Sequence, residues 1–184
     1  MARLPYLDAD DLREEDRDLL ARRINLNRAL AHSVPGSRQF WSIANWIRFD
    51  QGLDKRLREM AILQVGYVTR SRYEWSHHIH LALTDFGVSE DDVRAIMAES
   101  EGRGSGLSDL DRAALRLARE MTTDVAGSRE VFEAVDAALG HELTTELVLV
   151  IGYYNMVVRY LETVQIDVEP EYETYLERFP LPQA

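Results

Sequence analysis

The sequence contains no cysteine, and it has no apolar run close to the roughly 20 residues that a membrane-spanning helix requires. Without cysteine there are no disulfides, no zinc–thiolate sites and no reaction that depends on a thiol. The acidic N-terminal segment also lacks the apolar core of a signal peptide. These absences predict a cytoplasmic protein that does not cross a membrane.

Basic side chains are in the minority, since 21 Lys and Arg stand against 32 Asp and Glu and give a formal net charge of −11. Nucleic acids and anionic membranes both require a basic surface, so neither is an expected partner. The hydrophobic fraction of 46% and the charged fraction of 29% are ordinary for a globular protein. A length of 184 residues fits one domain with a sizeable core.

Alternating apolar and polar residues, the mark of a half-buried strand, are almost missing, and 164–168 is the one candidate. Helical spacing and capping residues are present nearly throughout, so we predict an all-α bundle. The predicted helices span about 11–24, 37–48, 54–69, 73–86, 89–97, 108–121, 128–139 and 145–164. The dense apolar content of 37–48 predicts burial on more than one side, and that of 145–164 predicts a central position.

One cluster of ionisable residues has a spacing that suggests chemistry. Glu74 and His78 are four residues apart on one predicted helix and therefore share a face. Glu59 lies on the preceding helix, and a polar corner at 70–71 lets that helix fold back toward His78. A carboxylate beside an imidazole fixes the tautomer and tunes the pKa. We therefore predict Glu59, Glu74 and His78 as catalytic residues.

Simpler interpretations exist for each of these residues. A Glu–His pair at this spacing is usually a surface contact that contributes about 0.2–0.5 kcal/mol. Glu59 can equally be a solvated residue at a helix edge, and His77 and His80 are more often surface or core-rim residues than ligands. Because the three neighbouring histidines splay around one helix, no metal site is predicted.

The frame Glu59-x11-Ser71-x2-Glu74-x3-His78 resembles the active-site motif of the carboxymuconolactone decarboxylase/alkylhydroperoxidase D-like family. The run R-Y-E-W-S-H-H at 72–78 is similar to E-Y-E-W-A-H-H, which non-peroxidase members carry. The resemblance extends to 26–32, 107–112 and 147–155. It implies an alkylhydroperoxidase D-like helical bundle in a single domain over 1–184. Its parts are an N-terminal helical extension (about 1–50), a core (about 51–165) and a C-terminal tail (166–184).

The resemblance also implies a chemistry. The peroxidase branch has cysteines where this chain has Ser71 and Glu74, so thiol peroxidase activity is excluded. The decarboxylase branch implies a cofactor-free lyase or isomerase that acts on a small organic acid or lactone. His78 would transfer the proton, with Glu74 as its partner and Glu59 as its orienting group. Arg72 or Arg70 would hold a substrate carboxylate. The full predicted substrate-binding set is Ser71, Arg72, Tyr73, Tyr153 and Asn155.

Two other functions stay open at this point. A wide apolar pocket would favour a natural-product cyclase or isomerase on the same scaffold. A non-catalytic binding protein would be favoured if Glu74 and His78 were exposed and unpaired. Family resemblance further implies a homo-oligomer (a dimer, trimer or hexamer), and the apolar helices over 37–48 and 145–164 are consistent with subunit contacts.

Overall fold

A computed structural model describes residues 2–183, in which helices are joined by short loops and no strand occurs. The predicted all-α class is confirmed. The α-helices are α1 (Asn25–Leu30), α2 (Val34–Asn45), α3 (Lys55–Val68), α4 (Arg72–Asp85), α5 (Glu90–Ser100), α6 (Asp109–Thr123), α7 (Arg129–Val164) and α8 (Glu173–Arg178). Tighter 3₁₀ turns form at Ala9–Asp11, Glu14–Leu20 and Pro170–Tyr172, and a π-helical turn at Trp46–Asp50 extends α2.

Side-chain caps set the starts of the core helices. The hydroxyls of Ser89, Ser108 and Ser128 accept the backbone N–H three residues ahead, as their sequence context predicts. The predicted helix over 11–24 is wrong, because only the 3₁₀ turn Glu14–Leu20 forms there. Pro35 does not precede α2 but lies in its first turn, where the missing proline N–H has no cost.

The centre of the fold is α3, in which every residue from 57 to 67 is buried. It packs against α4, α5, α6 and α7. The predicted central position of the last helix is wrong, because α7 leaves Leu149 54% and Met156 44% exposed. The prediction for 37–48 is also wrong, since Ile43 on α2 is 47% exposed. These residues line one apolar surface groove, which we call the α2–α7 groove.

Helix α7 bends at Gly140, whose φ of 78° is available to glycine at little cost. By length and composition alone the helix could cross a membrane, although the sequence predicts no membrane-spanning segment. However, 56% of that apolar window is buried inside the fold. Packing within the protein therefore accounts for the larger part of its apolar surface, and the rest lies in the α2–α7 groove.

The C-terminal tail docks on α4. The indole N–H of Trp75 donates to the carbonyl of Phe179 at 2.8 Å, and the Phe179 side chain is fully buried. Helix α8 packs along the same side of α4. The division into an extension, a core and a tail stays a prediction.

Candidate active site

The corner between α3 and α4 brings the predicted acid–base residues together. Arg70 takes a left-handed φ of 54°, and the N–H of Ser71 bonds the carbonyl of Gly66 at 3.0 Å. The two helices then cross so closely that a Cβ on Gly66 would lie 3.3 Å from the backbone nitrogen of Trp75 and 3.4 Å from Cγ of Glu74. Glycine at this position permits the close crossing that places Glu74 beside α3.

Glu59, His78 and Glu74 form a buried chain of ionisable groups. Oε1 of Glu59 lies 2.5 Å from Nδ1 of His78, while Nε2 of the same ring lies 3.1 Å from Oε1 of Glu74. The second contact is at ion-pair distance but lacks hydrogen-bond alignment, so Glu74 Oε1 has no hydrogen-bond partner among the described residues. All three side chains are at least 89% buried. Glu59 thus fixes the ring, and Nε2 and Glu74 are left to exchange protons.

Burial and the contacts within this chain raise the pKa values of both Glu74 and His78. Loss of solvent raises the pKa of Glu74 from 4.5 to about 7, although the facing imidazole opposes the rise. For His78, burial alone would lower the pKa, but the carboxylates of Glu74 and Glu59 outweigh it and the pKa is raised above 6.5. Near pH 7 the Glu74–His78 pair can therefore both give and accept a proton.

Glu74 and His78 border a small cavity of about 60 Å³ between α1, α2, α4 and α7. We call it the inner cavity. Its walls are mainly apolar and aromatic, and they include Leu26, Phe40, Trp41, Leu81, Tyr154 and Val157. The N-terminal part of the chain, from Arg22 to Arg48, supplies half of this lining and so covers one side of the cavity. An apolar surround strengthens the electrostatic interactions inside the cavity.

Two predicted substrate-binding residues line the inner cavity and three do not. Tyr73 and Tyr153 contribute their rings, and the Tyr153 hydroxyl donates to the carbonyl of Phe40 at 3.0 Å. Ser71 is fully buried, and its hydroxyl makes no hydrogen bond to any described residue. It lies outside the cavity lining, although it starts the helix that carries Glu74.

The other two predicted residues face elsewhere. Arg72 is largely exposed and pairs with Glu173 at 2.8 Å on the surface, away from the cavity. The amide of Asn155 donates to Thr122 on α6 at 3.0 Å and to the carbonyl of Ile151 at 3.1 Å. Arg70 is likewise outside the cavity lining. The substrate-holding role predicted for an arginine at this corner thus has no support from the geometry.

The structure adds residues that the sequence did not single out. The ring of Tyr154 meets His78 edge to face with centroids 4.9 Å apart, and burial raises its pKa well above 10. In the sequence, the only sign that Tyr154 belongs to the site is that it follows the predicted residue Tyr153. Arg22 and Arg48 also line the inner cavity, and nothing local in the sequence marks them.

A second histidine cluster adjoins the inner cavity. His77 is stacked between Tyr73 and Tyr172, with both pairs of ring centroids 3.8 Å apart. Its Nδ1 lies 2.9 Å from the carbonyl of Tyr73, and its Nε2 lies 2.9 Å from Oε2 of Glu169. Burial works against ionisation of Glu169, but His77 and the N–H of Asn25 reverse this effect and lower its pKa below 4.5. We call this cluster the tail clasp, because it joins the tail to α1 and α4.

No group of three or more histidine, aspartate and glutamate side chains in 2–183 is arranged to hold a metal ion. The acid–base chain is the group of ionisable side chains that lies nearest the apolar wall of this pocket. Its parts are a fixed imidazole, a carboxyl group with a raised pKa and an apolar surround.

Comparison with known proteins finds a family model that matches the part of the chain that holds these residues. Residues 35–120 match the model of the carboxymuconolactone decarboxylase family. This stretch contains Glu59, Ser71, Glu74 and His78. No curated protein matches the chain.

Several solved structures share the fold over nearly the whole chain. An alkylhydroperoxidase AhpD core protein from Ralstonia eutropha JMP134, described as an uncharacterized peroxidase-related protein, is similar with a TM-score of 0.78 at 17% identity. That alignment covers 95% of each chain. A Cys-to-Ala variant of the debrominase Bmp8 in complex with 2,3,4-tribromopyrrole is similar with a TM-score of 0.78 at 17% identity, over 97% of this chain and 96% of that one. A peroxidase-related protein from Silicibacter sp. TM1040 has a TM-score of 0.71 at 17% identity, with 93% of both chains covered.

Proposed function

Since residues 35–120 match the model of the carboxymuconolactone decarboxylase family, we propose that the chain is a lyase or isomerase that moves protons at carbon in a small organic acid or lactone. The observation that carries the proposal is the buried Glu59–His78–Glu74 chain, which borders an apolar cavity. Thiol peroxidase chemistry is not open to this protein, because Ser71 and Glu74 occupy the cysteine positions and the chain has no cysteine.

Each residue has a distinct role in the proposal. Glu59 accepts a hydrogen bond from Nδ1 of His78. The ring is thereby held with its other nitrogen, Nε2, facing Glu74. Glu74 borders the cavity with an oxygen that has no hydrogen-bond partner among the described residues, and its pKa of about 7 suits general acid or base work. Tyr154 limits the space beside the imidazole.

Two reactions fit this arrangement. In decarboxylation the bond between carbon and carboxylate breaks, its electron pair enters a conjugated carbonyl as an enolate, and CO₂ leaves. The Glu74–His78 pair then protonates the carbon and regains its proton from water. In isomerisation the Glu74 carboxylate removes a proton from one carbon, and the pair returns it to another, with no net change in protons. An apolar cavity favours both, since it disfavours a localised charge on the substrate.

The open alternative of a non-catalytic binding protein predicted an exposed, unpaired Glu74 and His78. Both side chains are instead buried and in contact with each other. The inner cavity of about 60 Å³ also leaves room for only a small group beside Glu74. Both observations favour proton transfer on a small molecule.

The test is an incubation with carboxymuconolactone in D₂O followed by proton NMR. We expect deuterium to enter the substrate or product with the wild type, and we expect a loss of roughly 100- to 10,000-fold with Glu74→Gln and with His78→Asn. His141→Asn, which alters an exposed histidine paired with Asp136, is the matched control and should keep full activity. Equal rates for the wild type and Glu74→Gln would refute the proposed chemistry. Circular dichroism of every variant separates loss of function from loss of fold.

A further inference from the structure

A second, larger space opens outward from the inner cavity. This outer groove has a volume of about 530 Å³, and it shares Arg22, Trp41, Asn45 and Arg48 with the inner cavity. A ligand that approaches Glu74 from this side therefore passes these four side chains. The inner cavity alone is too small for more than one end of an organic molecule, so the rest of the ligand has to lie in the outer groove.

The shared residues offer hydrogen-bond donors that have no acceptor. Arg22, which is exposed, and Arg48, which is half-buried, make no side-chain hydrogen bond or ion pair to any described residue. Arg48 makes a ring contact with Phe86 at 5.9 Å and lies near enough to His78 to act on its charge. The buried indole N–H of Trp41 also lacks an acceptor within the described part of the chain. An unpaired buried donor is costly, so its presence at the junction points to a ligand that accepts from it.

Two arginines without a carboxylate partner are unusual in a protein that is strongly acidic. With a net charge of −11, most arginines are paired with carboxylates, as Arg38 in the same groove is paired with Asp18 at 3.0 Å. Two guanidinium groups at one junction have no such partner. A guanidinium group donates two parallel hydrogen bonds to the two oxygens of a carboxylate. A neutral amide has only one such oxygen and no negative charge.

We propose that the junction between the inner cavity and the outer groove binds the carboxylate of an aromatic or unsaturated organic acid through Arg22 and Arg48. The reacting end of the acid then enters the inner cavity beside Glu74, where the rings of Phe40 and Trp41 form part of the wall. The inference rests on the proposed function, since it names the substrate class of the same site. It also explains why Arg72, which pairs with Glu173, is not needed for this task.

Binding is tested without turnover, with benzoate and its neutral isostere benzamide as probes in titration calorimetry. We expect benzoate to bind at least about tenfold more tightly than benzamide, and we expect Arg22→Gln and Arg48→Gln each to weaken benzoate about tenfold. The double variant should bind the two probes equally. Arg70→Gln removes an unpaired arginine that lies outside both spaces and should leave the preference unchanged.

Three outcomes would overturn the inference. They are equal binding of benzoate and benzamide to the wild type, an equal effect of Arg70→Gln, and displacement of benzoate by inorganic phosphate at comparable concentration. Failure of the proposed function is distinguishable, because Glu74→Gln should still prefer benzoate even if no substrate is ever turned over. Retained circular dichroism excludes unfolding as the cause of lost binding.

Discussion

The carboxylate of Glu59 lies 2.5 Å from Nδ1 of His78, and both side chains are buried between α3 and α4. A negative charge at this distance favours the imidazolium and fixes which ring nitrogen carries the exchangeable proton. The reactivity of Nε2, on the far side of the ring, is therefore set by a residue that does not border the inner cavity.

Glu59→Gln should separate this positioning role from a structural one. We expect the pKa of His78 to fall, because one of the two carboxylates that raise it is lost, and we expect turnover to drop roughly 100-fold. The pKa is measured from the pH dependence of the His78 ring signals by NMR. An unchanged His78 pKa with lost activity would mean that Glu59 acts only through packing. Glu142→Gln, an exposed change of the same kind, is the control.

Glu74 makes stability depend on pH in a direction that is unusual for a glutamate. Its pKa is raised from 4.5 in the unfolded chain to about 7 in the fold, so the folded state binds the proton more tightly. The associated stability is fully present below pH 4.5 and is lost as the pH rises through about 7. We expect Glu74→Gln to match the wild type near pH 5 and to exceed it at pH 8 by on the order of 3 kcal/mol.

Urea unfolding at pH 5, 6, 7 and 8 measures this difference. His78 contributes in the same direction, because its raised pKa also favours the protonated fold at low pH. A wild type that is the more stable protein at pH 8 would contradict a buried carboxylate with a raised pKa. Glu142→Gln should leave the pH dependence unchanged.

Gly66→Ala tests how closely α3 and α4 must approach each other. The added Cβ would meet the backbone nitrogen of Trp75 at 3.3 Å, so the helices have to separate by a few tenths of an ångström. We expect Glu74 to lose its alignment with His78, and turnover to fall by roughly 100-fold, since small displacements of catalytic groups are costly. Thermal unfolding and turnover are measured together.

Gly104→Ala is the matched control for this variant, because its Cβ would meet nothing within 4 Å. It should keep full activity and change stability by no more than about 1 kcal/mol. Full activity in Gly66→Ala would show that the site tolerates a wider helix crossing than the geometry indicates.

The α2–α7 groove predicts self-association. It presents Ile43, Leu149 and Met156 on one continuous apolar surface with a volume of about 660 Å³. We expect a second copy of this chain to cover it, because these three apolar side chains remain 44–54% exposed in a single chain. Leu149→Glu combined with Met156→Glu should lower the sedimentation coefficient to that of a monomer. Val125→Glu, an exposed apolar residue outside the groove, should not. A monomeric wild type would refute self-association.

The sequence could predict the acid–base chain because its residues lie on two consecutive helices joined by one short corner. The spacing of Glu74 and His78 fixes their common face, and the corner before α4 brings Glu59 back to them. The position of Arg72 could have been excluded on the same grounds. It precedes Glu74 by two residues, and residues two apart on a helix point in opposite directions.

Other features could not be predicted from the sequence for physical reasons. Arg22 and Arg48 reach the cavity from segments far from α4 in the chain, and no local pattern records such a contact. The exposed faces of α2 and α7 were predicted as core because apolar periodicity is the same for a buried face and for a subunit interface. The 3₁₀ turn at Glu14–Leu20 replaces a predicted helix where charged residues dominate and few side chains are buried.

The tail clasp has a consequence for how the protein is made. Tyr73 and Glu169 are 96 residues apart in sequence, yet the wall of the inner cavity that carries Tyr73 and His77 is pinned by Glu169. Such a long-range closure forms late in folding. On the ribosome, the pocket cannot reach its final shape until Glu169 has emerged. Until then α1 has no anchor at Glu169, and a nascent or C-terminally truncated chain would carry an intact Glu59–His78 pair beside an unsealed cavity.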